Sequence, residues 1–303
     1  MKADTALARR RPRRARTKPP GSGSLRNMRA IVATVCKYVF IVGLSATTVL
    51  PFLWMVSSSL KLDRDVFAIP MRWIPSPVHW ENYVQVFQKV SFATYYLNTL
   101  KIAGAVLILQ LLTCTMAAFS FTKLRYPGRS ALLIVYIATL MVPSQVTMIP
   151  QFIIVRNLGL FNTHGALILL AGFSAFGTFL LVQFFRGIPG ELMDACKIDG
   201  AGYMVAYWRI ILPLSLPALS ALGIMSVIGE FNAFMQPMIY LNDEKLRTIT
   251  LGLRSLVTEY VSAINLQMAG TVMALVPIVA VYVIAQEQII KGISFNGGAG
   301  VKG

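Results

Sequence analysis

Side chains able to do covalent or metal chemistry are few and scattered in this sequence. The histidines, His79 and His164, and the cysteines, Cys36, Cys114 and Cys196, show no zinc-ligand spacing and no disulfide framework. There is no G-x-x-x-x-G-K-S/T loop, so the chain has no P-loop of its own to cradle a nucleotide. No nucleophile–base constellation can be drawn, which argues against an intramembrane enzyme. Two features remain. One is an acid, Glu230, set in the apolar run VIGEFNAFMQP with Asn232 and Gln236. The other is DACKIDGAGYMVAYWRIILPL at 194–214, which brings four charges, two glycines and a Tyr-Trp pair into an otherwise apolar chain.

The elements that must position these residues are membrane helices. Of the 303 residues 56% are apolar and 13% charged. A bilayer core of about 30 Å needs roughly 20 helical residues to cross it. Six runs of that kind are expected, at about 31–57, 95–121, 130–154, 165–185, 214–240 and 266–290, giving an all-α membrane protein of six transmembrane helices. Pro143, Pro150, Pro237 and Pro277 fall inside or at the ends of these runs, where neighbouring helices can re-satisfy the freed carbonyls.

Charge sets the expected orientation. Residues 1–30 hold ten Lys and Arg, and Lys123, Arg125, Arg129, Arg186, Lys197, Arg209, Lys291 and Lys302 fall on the same side. Nine basic residues fall on the other, so both termini are expected in the cytoplasm. The net charge of +16 rests largely on the segment 1–30. No aromatic residue is interleaved there, which disfavours nucleic acid and favours a disordered basic tail against anionic lipid.

The segment 187–213, between the fourth and fifth runs, is too long for a simple connector. Pro189-Gly190 ends the preceding helix, ELMDACKI has helical spacing, and Asp199-Gly200 reads as a turn or a helix C-cap. A second short helix, about 201–211, carries Tyr203, Met204, Tyr207 and Trp208 as an exposed aromatic and Met face. By composition this face suits either an anchor at the lipid headgroups or a helix that docks in a partner's groove. Outer connections at about 60–94 and 241–265 are mixed in character, and the first, with WIPSPVHWENY, reads as an ordered surface segment.

The segment resembles the EAA motif of ABC-importer permeases: Glu-Ala-Ala, three residues, Gly, nine residues, Ile, one residue, Leu-Pro. Here it reads Asp194-Ala195-Cys196, then Gly200, then Ile210, then Leu212-Pro213, with every fixed spacing kept. YPGR at 126–129, VPSQVTMIPQF at 142–152, NLGLFNTHGALIL at 157–169, FGTFLLVQFF at 176–185, WENY at 80–83, LNTL at 97–100 and GVKG at 300–303 are similar to the carbohydrate branch, the MalG-like permeases of maltose-type importers. The resemblance implies the type I importer permease fold in the inner membrane. It also implies a second related permease, two cytoplasmic ABC ATPases that hold the ATP and Mg, an extracytoplasmic sugar-binding protein, and no cofactor in this chain.

The resemblance further implies that the second short helix sits in a groove of the ATPase. That makes Asp194, Ala195, Asp199, Gly200, Ala201, Tyr203, Met204, Tyr207, Leu212 and Pro213 coupling residues, with Val301, Lys302 and Gly303 reaching the ATPases from the C-terminal tail. An acid at a helix centre costs about 2.5–3.5 kcal/mol on insertion scales, so Glu230 is expected either at the lumen or in an ion pair across the subunit interface. The family usually has Gly-Ser-Trp-Asn-Asp here, whereas this chain has Glu230, Phe231 and Ala233 at the second, third and fifth places. Glu230, Phe231, Asn232, Phe234, Gln236 and Gln145 are the expected substrate-path residues, while Asn98 and Gln151 read as interhelical hydrogen-bonding groups. An ion-coupled secondary transporter is disfavoured because only Glu230 and Glu287 could serve as buried relays.

Overall fold

The computed structural model describes residues 22–258 and 263–294, and among them every regular element is helical, with no strand. The chain divides after Trp54 into two compact units. The first holds most of α1 (Ser22–Ser59), whose stretch Ile31–Ser59 has a mean hydropathy of 2.0 over its most apolar window and meets the first expected span.

The second unit begins with α2 (Asp63–Val66) and α3 (Glu81–Lys89), both in the connection 60–91. That connection is ordered by hydrogen bonds. The Ser57 hydroxyl donates to the Trp73 carbonyl, and the Asn82 amide donates to the carbonyls of Ser59 and Lys61. Helix α4 (Phe92–Lys123) follows and is the axis of the unit, packing against five of the later helices.

Two of the expected spans are bent pairs rather than single rods. Helix α5 (Arg129–Ala138) runs through a 3-10 turn to Met141 and meets α6 (Ser144–Asn157) at 102°. Pro143 holds Val142 in extended backbone, which breaks the helix there. Helix α7 (His164–Ala171) and α8 (Ala175–Arg186) together form the fourth span, with a break at residues 172–174. Side chains of α4 take up the carbonyls freed by that break: Thr113 donates to Gly172 at 2.7 Å and Gln110 to Ala171 at 3.4 Å. Such repair lets a helix be interrupted inside a bilayer.

Past α9 (Glu191–Ile198), the helical stretch Tyr203–Leu214 comprises α10 (Tyr203–Ala206), a π-helical turn at Tyr207–Ile211 and α11 (Leu212–Leu214). It meets α12 (Leu216–Asn232) at 75°. Pro213 and Pro217 each lack the N–H that would continue the helix across this bend, and the buried Ser215 hydroxyl donates to the Ile211 carbonyl at 2.6 Å. The fifth run was expected to continue to Tyr240. It stops at Asn232, and 235–240 form a separate helix, α13 (Met235–Tyr240). Helices α14 (Ile249–Thr258) and α15 (Ile264–Ser294) complete the unit. Among the described residues four helices are long and apolar enough to span a membrane, or six when each bent pair is one span.

The core falls into three clusters. One gathers Phe119, Phe185, Met193, Cys196, Tyr207 and Ile211 at the end of the bundle where α9 and α10 sit. The other two lie toward the opposite end, around Tyr95 and Phe231 and around Ile102 and Tyr240. Lipid tails are as apolar as leucine, so close packing and interhelical hydrogen bonds hold such a bundle together more than transfer from water does.

Candidate functional site

The short helices at one end form a joint. Helix α9 ends in a Schellman motif: the Ala201 N–H donates to the Cys196 carbonyl at 2.8 Å and the Gly200 N–H to the Lys197 carbonyl at 3.0 Å. The motif needs a residue in the left-handed region, and Gly200 supplies it at φ 74°. Cys196 and Ala201 both pack into the adjoining core cluster, so the turn is fastened from inside.

Helix α10 then starts outside the bundle and runs into it. Tyr203 is 49% exposed, whereas Tyr207, one turn on, is 2% exposed. Tyr207 packs edge-on against Phe119 of α4 with ring centroids 5.2 Å apart, and its hydroxyl lies 2.6 Å from that of Thr115. The Thr115 hydroxyl also donates to the Leu111 carbonyl at 2.6 Å, so Tyr207 is the donor to Thr115. The expected placement of Tyr207 on the exposed docking face is therefore corrected: it is the peg that fixes α10 to α4.

What remains outside is a compact apolar patch. Ile198 is 86% exposed, and Tyr203, Met204, Val205 and Trp208 are each more than two-fifths exposed. Exposed apolar residues clustered in this way mark an interaction surface. The Lys197 ammonium lies over the Tyr203 ring, 5.7 Å from its centroid, beside a notch lined by Met193, Cys196, Gly202 and Ala206. Asp194 pairs with Lys197 at 3.6 Å on the exposed side of α9, a surface pair worth little to stability. Ala195, Asp199 and Pro213 are exposed as well, and Leu212 and Ala201 are half-buried. The sequence reading passed over Ile198, though an apolar residue just before a helix C-cap in a charged loop is a usable signal. Val301, Lys302 and Gly303 lie outside the described residues.

A second feature is a cleft of about 440 Å³ at the break between α7 and α8, walled by Gln110, Phe173, Ser174, Phe176, Ser226, Glu230 and Gln236 among others. Of the six expected path residues it brings together Glu230 and Gln236. The other four lie outside it. Phe231 is 5% exposed and packs edge-on against Tyr96, because its direction on α12 is toward the core. Asn232 bonds back to the Ile228 carbonyl of its own helix at 2.8 Å. Phe234 lies beyond the end of α12 and carries the Arg254 guanidinium over its ring at 5.1 Å. Gln145 is exposed beside Ser144 at the start of α6. Gln110, Ser174 and Ser226 were missed because single Gln and Ser residues in apolar runs carry no distinguishing pattern. Asn98 fits its expected bonding role, donating to the carbonyls of Lys245 and Arg247.

With this geometry in view, comparison with known proteins is decisive. Residues 110–294 match the family described as binding-protein-dependent transport system inner membrane component. The chain belongs to that family. It is thus a multi-pass inner-membrane permease component of a binding-protein-dependent transport system. One curated relative is the sn-glycerol-3-phosphate transport system permease protein UgpE of Yersinia enterocolitica, 30% identical over 266 residues that cover 85% of this chain and 94% of the relative. Another, the diacetylchitobiose uptake system permease protein NgcG of Streptomyces coelicolor, is 30% identical, with 82% and 84% covered. The arabinooligosaccharides transport system permease protein AraQ of Halalkalibacterium halodurans is 29% identical, with 82% and 90% covered. Among solved structures, a chain of a bacterial ABC transporter involved in the import of the acidic polysaccharide alginate superposes with a TM-score of 0.74 at 22% identity. It covers 89% of this chain and 100% of its own, and supports the importer permease fold.

Proposed function

We propose that the chain forms half of the translocation path of an ATP-driven sugar importer and is driven by a separate ABC ATPase through the α9–α10 joint. The observation that carries this is the pairing of an exposed apolar patch, Ile198, Tyr203, Met204, Val205 and Trp208, with a peg, Tyr207, that ties the same helix to α4. A ligand shifts a two-state bundle only by what it binds differentially. ATP and Mg are held by the ATPase, so closure of the ATPase pair must be transmitted as movement of a rigid element. The Schellman turn, the peg and the bend at Ser215 supply a stiff path from the patch into α4 and α12.

In this reading both termini and the coupling region 187–213 face the cytoplasm, residues 1–30 lie against the lipid surface, a second permease completes the path, and an extracytoplasmic binding protein delivers the solute. Asp194 and Asp199, Gly200, and the tail residues Val301, Lys302 and Gly303 belong to the ATPase-facing surface. A saccharide is favoured by the substrates named for two relatives, arabinooligosaccharides and diacetylchitobiose, and by a cleft that combines hydrogen-bonding side chains with aromatic rings. Reconstitution with the partner permease, ATPases and binding protein tests it. Saccharide-stimulated ATP hydrolysis and uptake are expected, and uptake persisting without any ATPase would refute the reading.

A further inference from the structure

We infer that the cleft between α4, α8 and α12 selects by charge: it takes a donor-rich saccharide without negative charge, an amine-bearing one best, and Glu230 is its specificity-determining residue. This deepens the sugar-importer reading above and rests on it.

The lining is one-sided in its chemistry. None of the residues that wall the cleft is basic, and Glu230 is the one acid among them. Among the described residues no cation and no hydrogen-bond donor is placed against the Glu230 carboxylate. It also sits in the last turn of α12, where the helix dipole presents its negative end. A carboxylate in that position is matched by a cation or by several O–H and N–H donors, and is repelled by another anion.

Gln110, Ser174 and Gln236 add hydrogen-bonding side chains to the same wall. Phe173 and Phe176 offer apolar ring faces to the C–H surface of a sugar. The volume of about 440 Å³ lies in the range of small-ligand sites. On this account the solutes of two similar transport systems, a glycerol phosphate and the acidic polysaccharide alginate, are poor matches to this cleft.

Delivery passes through the binding protein, so the permease's own preference is read without it. The purified complex of both permeases and ATPases is titrated calorimetrically at neutral pH with a glucosamine disaccharide, a glucose disaccharide and a galacturonate disaccharide. Wild type is expected to bind them in that order, the amine at least about tenfold more tightly than the uronate, which corresponds to about 1.4 kcal/mol. Glu230→Gln is expected to bring amine and uronate within about threefold while keeping the glucose disaccharide, and Glu230→Asp to keep the order. An unchanged order in Glu230→Gln, with sugar uptake by the complete transporter intact, overturns the charge selection alone. Failure of the two permeases to co-purify when Glu230 is Gln also overturns it, since the carboxylate would then be a subunit contact. Wild type that binds none of the three and hydrolyses ATP regardless of saccharide overturns the sugar reading, and the selection with it.

Discussion

Gly200 offers a clean test of the joint because backbone conformation and side-chain room can be separated there. Its φ of 74° is one that L side chains rarely adopt, yet a Cβ added at this position meets no atom within 4 Å. Alanine is therefore strained by the backbone alone, at about 1–2 kcal/mol, while asparagine tolerates the left-handed region at lower cost. The two hydrogen bonds that close the motif are each worth about 0.5–1.5 kcal/mol, of the same order as the strain, so Gly200→Ala opens the turn in a substantial share of molecules. One to two kcal/mol is a factor of about 5–30 in population. Binding-protein-stimulated ATP hydrolysis and uptake in proteoliposomes are expected to fall by about twofold or more in Gly200→Ala, as the closed share of molecules falls, and only slightly in Gly200→Asn, at equal amounts of assembled complex. Wild-type activity of Gly200→Ala would refute the role of the turn. Equal loss in both variants would show that a partner fills the space beside Gly200, and that φ is not the reason for the glycine.

Four further substitutions probe the packing. Tyr207→Phe removes the donor to Thr115 and is expected to cost about 1 kcal/mol, whereas Tyr207→Ala also empties the space beside Phe119 and costs about 3–5 kcal/mol. Thermal unfolding of the detergent-solubilised complex should rank them in that order. A Cβ at Gly252 falls against the ring of Tyr95, which is fully buried and held by its hydroxyl on Glu244 at 3.0 Å; a Cβ at Gly270 crowds the flexible end of Leu253 and meets Val86 at ordinary contact distance. Gly252→Ala is thus expected to destabilise by about 1–3 kcal/mol and Gly270→Ala by clearly less, measured the same way.

Features set by local chemistry could be read from the sequence, and features set by depth could not. The helix Glu191–Ile198 and its glycine cap follow from residue types a few positions apart. Tyr203 and Tyr207, four residues apart, were read onto one face, and periodicity does report direction. It says nothing of how far along a helix the bundle begins, and that alone makes one tyrosine surface and the other core. Hydropathy found the six apolar stretches, but a window of summed hydropathy does not register a bend. The turn at Pro143 and the break at residues 233–234 therefore stayed hidden inside apparently continuous spans. Glu230 was legible as an unusual acid, while the cleft around it depends on α4 meeting α8 and α12 far apart in sequence.

The central claim is that the patch on α10 is the surface an ATPase grips, and site-directed cross-linking tests it most directly. Single cysteines at Tyr203 and Met204, and at the buried Ala206 as control, are introduced with Cys36, Cys114 and Cys196 replaced, and a short bifunctional reagent is applied to the assembled transporter. The account predicts a permease–ATPase adduct from positions 203 and 204, diminished from 206, with yields that change when ATP is added. The absence of any ATPase adduct from 203 and 204 in a complex that still hydrolyses ATP would contradict it.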